Sequence, residues 1–141
     1  MKTAAAAFAA TLALAGCTSA IGDLDHEDSP VARYNWTGDE GMEALLEGEL
    51  LLTDGCLYIV SDDAEPTVAA MPREFASWRS EDDVLTFDGL EFSSGDAVAA
   101  AGGFVEPSGD IDRLDIPEAC DLGEWGEIFL VHDTDLTPAA G

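Results

Sequence analysis

Basic residues are almost missing from this chain. Lys2 is its one lysine, and with Arg33, Arg73, Arg79 and Arg113 it stands against 30 acidic residues, for a formal net charge of −25. A nucleic-acid partner requires a basic footprint that neutralises phosphates, so that class of function is excluded. Anionic headgroups repel such a body, and solubility in a salty or crowded surrounding is a sufficient physical role for the charge. Long apolar runs are also missing. A spanning helix needs about 20 apolar residues, and the most apolar stretch beyond the first residues, ELLLTDGCLYIV, is broken by Asp54 and Gly55. There is no Gly-rich phosphate loop with its lysine, no Cys/His zinc spacing and no G-x-S-x-G elbow. Histidine is limited to His26 and His132. Among so many acids, paired carboxylates arise by chance and carry no information about catalysis. The chain therefore reads as noncatalytic.

Cysteine is scarce as well, and each of the three has a distinct setting. Cys17 ends an apolar run and opens a polar one. Met1, Lys2 and Thr3 make a minimal positive start, and Ala4 to Leu14 carry no charge. A run of about a dozen residues is too short to span a bilayer and has the shape of an export signal, which is not counted as fold. Leu14-Ala15-Gly16-Cys17 resembles the lipobox of bacterial lipoproteins. The resemblance covers the leader alone. It implies that residues 1–16 are removed, that the Cys17 thiol carries a diacylglyceryl group with acyl chains such as palmitate, and that Cys17 opens the mature chain. Two or more acyl chains, at about 0.8 kcal/mol per buried CH₂, hold a protein on a membrane for practical purposes. The expected address is the bacterial cell envelope, anchored without spanning. Thr18, where an aspartate would retain the protein, resembles the outer-membrane default of Gram-negative lipoproteins; in a Gram-positive cell the anchor sits in the outer face of the plasma membrane.

In that oxidising setting Cys56 and Cys120 form an even pair and are expected to be bridged. The loop they close, about 65 residues, corresponds to ~4 kcal/mol as an upper figure in the chain-entropy view. Redox work is disfavoured, since there is no Cys-x-x-Cys and no Lys or His beside either thiol to lower its pKa.

Residues 17–42 carry DLDHEDSP and TGDEG, acidic and without sustained periodicity, and read as a flexible tether. Asn35-Trp36-Thr37 matches a glycosylation acceptor, to which no role is assigned. Residues 43–141 read as a single β domain. Asp54-Gly55 between two apolar runs is a strong hairpin signal and pairs Leu52 with Leu57 and Leu50 with Ile59 on one face. Thr53 and Cys56 then share the other face with Leu51 and Tyr58. Asp88-Gly89 repeats the device, setting Phe87 against Leu90 and Leu85 against Phe92. PTVAAMP and WGEIFLVHD read as further strands. AVAAAGGFV is favoured as a strand coiled at its glycines over a short alanine helix. Six or seven short strands with one disulfide give an all-β domain, a small, partly closed β-barrel; a two-sheet sandwich is the alternative. The run from Gly89 through Gly95-Asp96-x-Val98 to Gly102-Gly103 resembles oligosaccharide/oligonucleotide-binding (OB) barrels. That likeness implies a fold and no ligand.

The best candidate site is GDIDRLDIPEACD, where Asp110, Asp112 and Asp115 precede Cys120. Alternate carboxylates can supply oxygen ligands to calcium, yet EF-hand spacing is lacking and Arg113 offsets the charge. A calcium-binding envelope protein is thus the alternative function. His132 reads as a strand-edge residue, Trp78 and Trp125 as core or disulfide-packing aromatics, and Trp36 as a tether residue able to dock on the barrel. SDDAEP and SEDD read as solvated turns. No cofactor, metal or catalytic residue is assigned. The expected function is binding or structural interaction at the membrane surface, with an envelope protein as partner.

Overall fold

Two aspartate-glycine dipeptides fix the local geometry. Asp54 and Gly55 take φ of 50° and 81°, and Asp88 and Gly89 take 47° and 79°, which is what a two-residue type I′ hairpin turn requires at both central positions. The computed structural model describes residues 24, 29–38, 43–62, 64–124 and 126–139. Among these residues there are nine strands and no helix: β1 (Ala32–Tyr34), β2 (Ala44–Thr53), β3 (Cys56–Val60), β4 (Thr67–Pro72), β5 (Ala76–Arg79), β6 (Val84–Phe87), β7 (Leu90–Phe92), β8 (Ala97–Val105) and β9 (Ile128–Pro138). The first turn joins β2 to β3 with Leu50 opposite Ile59 and Leu52 opposite Leu57. The second joins β6 to β7 with Leu85 opposite Phe92 and Phe87 opposite Leu90. Both registers match the sequence reading, because turn chemistry and a period of two act locally.

Strands β4, β3, β2, β8 and β9 follow one another, and β9 returns to β4 in parallel through Ala69–Phe129 and Ala70–Leu130. Since β8 comes back from far along the chain to lie beside β2, the order is that of a Greek key. The result is a five-stranded, partly closed ring of OB-like character rather than a sandwich. Alternation divides the side chains. Leu50, Leu57, Ile59, Met71, Val98 and Phe129 fill the interior, while Cys56, Tyr58, Val68, Ile128 and Leu130 face outward.

Curvature depends on two glycines. A Cβ at Gly48 would overlap the Val60 carbonyl, and one at Gly102 would overlap the Leu130 carbonyl, so neighbouring strands cross closer than any side chain permits. The β8–β9 ladder shifts register there: Ala100 pairs with Leu136 but Gly102 with Val131. Residues 132–135 form the resulting bulge, with Asp133 at φ 44°.

Between β4 and β8 the chain builds a separate sheet, β5-β6-β7. Its Trp78, Leu85, Phe87 and Phe92 enter the same core as the ring interior and close it on that side. On its wet side Arg79 bonds Asp82 at 2.6 Å and Glu91 at 3.3 Å. The hydrogen bond from Arg79 holds the Asp82 carboxyl below its ordinary value. Its small, solvent-screened contribution is present above the unfolded-state pKa and fades as acid is added.

The expected tether needs correction. Residues Val31, Ala32 and Tyr34 are fully buried, and β1 runs parallel to β4 with Ala32 opposite Ala70 and Tyr34 opposite Pro72. The Leu57 amide meanwhile donates to the Pro30 carbonyl at 2.9 Å. Strand β1 is thus wedged where β3 and β4 part, and residues 29–36 belong to the barrel, not to a linker. Leu24, also in the expected tether, is 2% exposed and joins the interior core. Strand β5 is a second element beyond the expected six or seven. Cys17, His26, Trp125 and the leader lie outside the described residues.

The close crossing at Gly102 is testable. Gly102→Ala is expected to destabilise by about 1–3 kcal/mol through overpacking, read as a lower urea midpoint at unchanged slope. Gly109→Ala, where an added Cβ meets nothing within 4 Å, is expected to stay within about 0.5 kcal/mol of the parent.

Candidate functional site

Residues 106–127, between β8 and β9, are, among the described residues, the longest segment without a strand after β2 begins. They are held by the Cys56–Cys120 disulfide, whose Cα atoms lie 5.0 Å apart, so the expected bridge is present. Ile111, Leu114, Ile116 and Leu122 of this segment pack on Tyr34, Tyr58, Val68, Ile128 and Leu130. A second apolar core therefore lies outside the ring, and the outer face of β3 and β4 is largely covered by the chain itself.

Polar contacts set the path of the segment. Arg33 and Asp115 exchange backbone hydrogen bonds at 3.0 and 2.9 Å, and the Arg33 guanidinium meets the Asp115 carboxylate at 2.7 Å. The Asn35 amide donates to the Asp112 carbonyl at 2.9 Å. Arg73 donates to the Arg113 carbonyl at 2.5 Å and to Asn35 Oδ1 at 3.2 Å. The Asp121 amide donates to the Tyr58 hydroxyl at 2.9 Å. The aspartate loop is thus engaged in holding β1 to the barrel. Asp115 is paired with Arg33, Asp110 and Asp112 are exposed, and among the described residues no three His, Cys, Asp or Glu side chains converge to hold a metal ion. Nothing in this arrangement advances the calcium alternative.

The remaining candidates are placed by packing. His132 is buried and its ring lies against Trp36, with centroids 4.9 Å apart and planes at 41°. Trp36 accordingly docks on the barrel, its amide bonded to the Glu74 carboxylate at 3.1 Å. Trp78 is a core residue beneath the β5–β7 sheet.

Two adjoining cavities were not foreseen. One, of about 440 Å³, opens where β2 begins and β8 ends; Leu46, Phe104 and Thr67 line it, with Glu65, Glu124 and Glu127. The other, of about 340 Å³, lies toward the hairpin turn between Asp54, Tyr58 and Asp121. They share Glu65 and Pro66. The Glu65 carboxylate approaches Gly123, where an added Cβ would come within 3.0 Å of Oε2. Gly123 has φ +73° and its amide donates to Asp121 Oδ1 at 2.9 Å. Phe104 is 44% exposed although its ring stands edge-on to Phe129 at 5.0 Å. Comparison with known proteins finds no matching family model, no matching curated protein and no matching solved structure.

The disulfide carries the covering loop, and its removal is the direct test. Replacing both Cys56 and Cys120 by alanine is expected to lower the unfolding free energy by about 2–4 kcal/mol, measured by chemical denaturation. Unchanged stability would mean that the apolar contacts of the loop suffice without the covalent tie.

Proposed function

We propose that this chain is a lipid-anchored protein of the bacterial cell envelope, whose OB-like β-barrel is a noncatalytic binding or interaction domain. The observation that carries the address is Leu14-Ala15-Gly16-Cys17. With Cys56 bonded to Cys120, Cys17 is the remaining thiol, and the lipobox gives it a chemical use. A structural disulfide supports an oxidising compartment. On a lipid tether at Cys17, an acidic body stands off from anionic headgroups and faces proteins of the envelope. For the barrel, support comes from the surface: carboxylate-rimmed, partly apolar cavities suit recognition, whereas the one described histidine packs on a tryptophan.

The test is the mass of the processed protein. Full-length chain expressed in a bacterium is expected to lose residues 1–16 and gain a diacylglyceryl group at Cys17, and globomycin is expected to block the cleavage. Cys17→Ser is expected to leave the chain unlipidated and released from the membrane fraction. A mature protein with an unmodified Cys17 thiol would overturn the address.

A further inference from the structure

We infer that the two adjoining cavities that share Glu65 and Pro66 in their walls are the seat of an extended, basic polypeptide segment from a partner protein, with one lysine or arginine stem lying across Phe104. Among the described residues the groove contains five carboxylates, those of Asp54, Glu65, Asp121, Glu124 and Glu127, and no Lys or Arg lines either cavity. None of the five is in an ion pair among the described residues, where arginine is paired with Asp115, Asp82 and Glu91. Charge of one sign left uncompensated along a groove selects a cationic occupant.

Shape narrows the class. A lysine or arginine side chain joins an apolar stem to a charged tip. Leu46 and the exposed Phe104 ring supply an apolar floor for the stem, and the ring face attracts a cation at close range. Glu65, Glu124 and Glu127 stand where the tip would emerge. The second cavity, across the Glu65-Pro66 wall, gives Asp54 and Asp121 to another basic side chain of the same segment. A lone divalent ion fits poorly, because the carboxylates are strung along the groove and, among the described residues, no three converge. A second copy of this chain fits poorly too, since it brings the same net charge of −25. The chain does not fill the groove itself: it has no lysine after Lys2, and Arg33, Arg73, Arg79 and Arg113 line neither cavity.

This inference rests on the reading of the barrel as a binding domain and deepens it. The probe is a fluorescein-labelled peptide of alternating lysine and alanine, with its alternating glutamate counterpart as control, followed by anisotropy against full-length chain carrying Cys17→Ser. The lysine peptide is expected to bind and the glutamate peptide not to bind. Combined Glu65→Gln, Glu124→Gln and Glu127→Gln are expected to weaken binding by roughly tenfold or more, since three charge contacts are lost together. Phe104→Ser is expected to weaken it by roughly threefold or more through loss of the stem contact. Equal charge removal on the distant sheet, by Glu81→Gln, Asp83→Asn and Asp88→Asn, is expected to change it by less than about twofold. All these positions are exposed, and matched melting curves establish that each variant is folded. Equal weakening by both triple variants, or no effect of Phe104→Ser, would overturn the groove and leave only diffuse charge attraction. Lipid at Cys17 without peptide binding sinks the groove and leaves the anchor; peptide binding by a chain whose Cys17 is never lipidated does the reverse.

Discussion

The Cys56–Cys120 bond joins the first residue of β3 to a segment that has almost no sheet hydrogen bonds of its own. Free, residues 106–127 would carry a large conformational entropy, and a handful of apolar contacts would have to offset it alone. Tied at Cys120, the segment lays Ile111, Leu114, Ile116 and Leu122 onto the outer face of the ring. Strand β1 is enclosed as a consequence. Its Arg33 is bonded through backbone and side chain to Asp115 on one side, while Ala32 and Tyr34 pair with β4 on the other. The ring, the wedge and the loop therefore form one packed body around two cores, one inside the barrel and one outside.

The proposed function rests on what that covering leaves open. With the outer face of β3 and β4 occupied by the chain itself, one accessible concavity lies at the edge of the loop, where Leu122, Glu124, Glu65 and Phe104 line the same cavity. The acidic excess then has a local meaning as well as a global one. Spread over the surface it favours solubility and repulsion from anionic lipid; gathered along a groove with an apolar floor it is the basis of the proposed preference for a cationic partner. A lipid on Cys17 would place both effects at the membrane surface.

How much could be read from the residues divides by range. The two Asp-Gly hairpins, their registers and the strand at AVAAAGGFV were legible because turn chemistry, period two and glycine sterics are local. The disulfide was legible by counting cysteines once an oxidising address was assumed. Strand β1 was not, because its three residues sit in an acidic stretch and its partner β4 lies far along the chain, in parallel. The aspartate loop drew attention for its carboxylates, whereas its structural content is in the Ile and Leu residues between them, a signal present in GDIDRLDIPEACDL but overshadowed by charge. The groove was illegible for the same reason as β1: Glu65 comes from the β3–β4 connection, Phe104 from β8 and Glu124 from the β8–β9 connection, and only closure of the ring brings them together.

If the loop is part of the barrel wall, its amides must be as hard to open as those of the sheet. Native-state hydrogen exchange on the oxidised protein measures this residue by residue. The amides of Arg33, Asn35, Asp115 and Asp121, each bonded between the barrel and the loop or its anchoring strand, are expected to be protected to within about tenfold of the β2–β3 hairpin amides, as one cooperative unit. Exchange at these four positions faster by several orders of magnitude, with the hairpin still protected, would show that the loop opens on its own and that the second core does not hold the fold together.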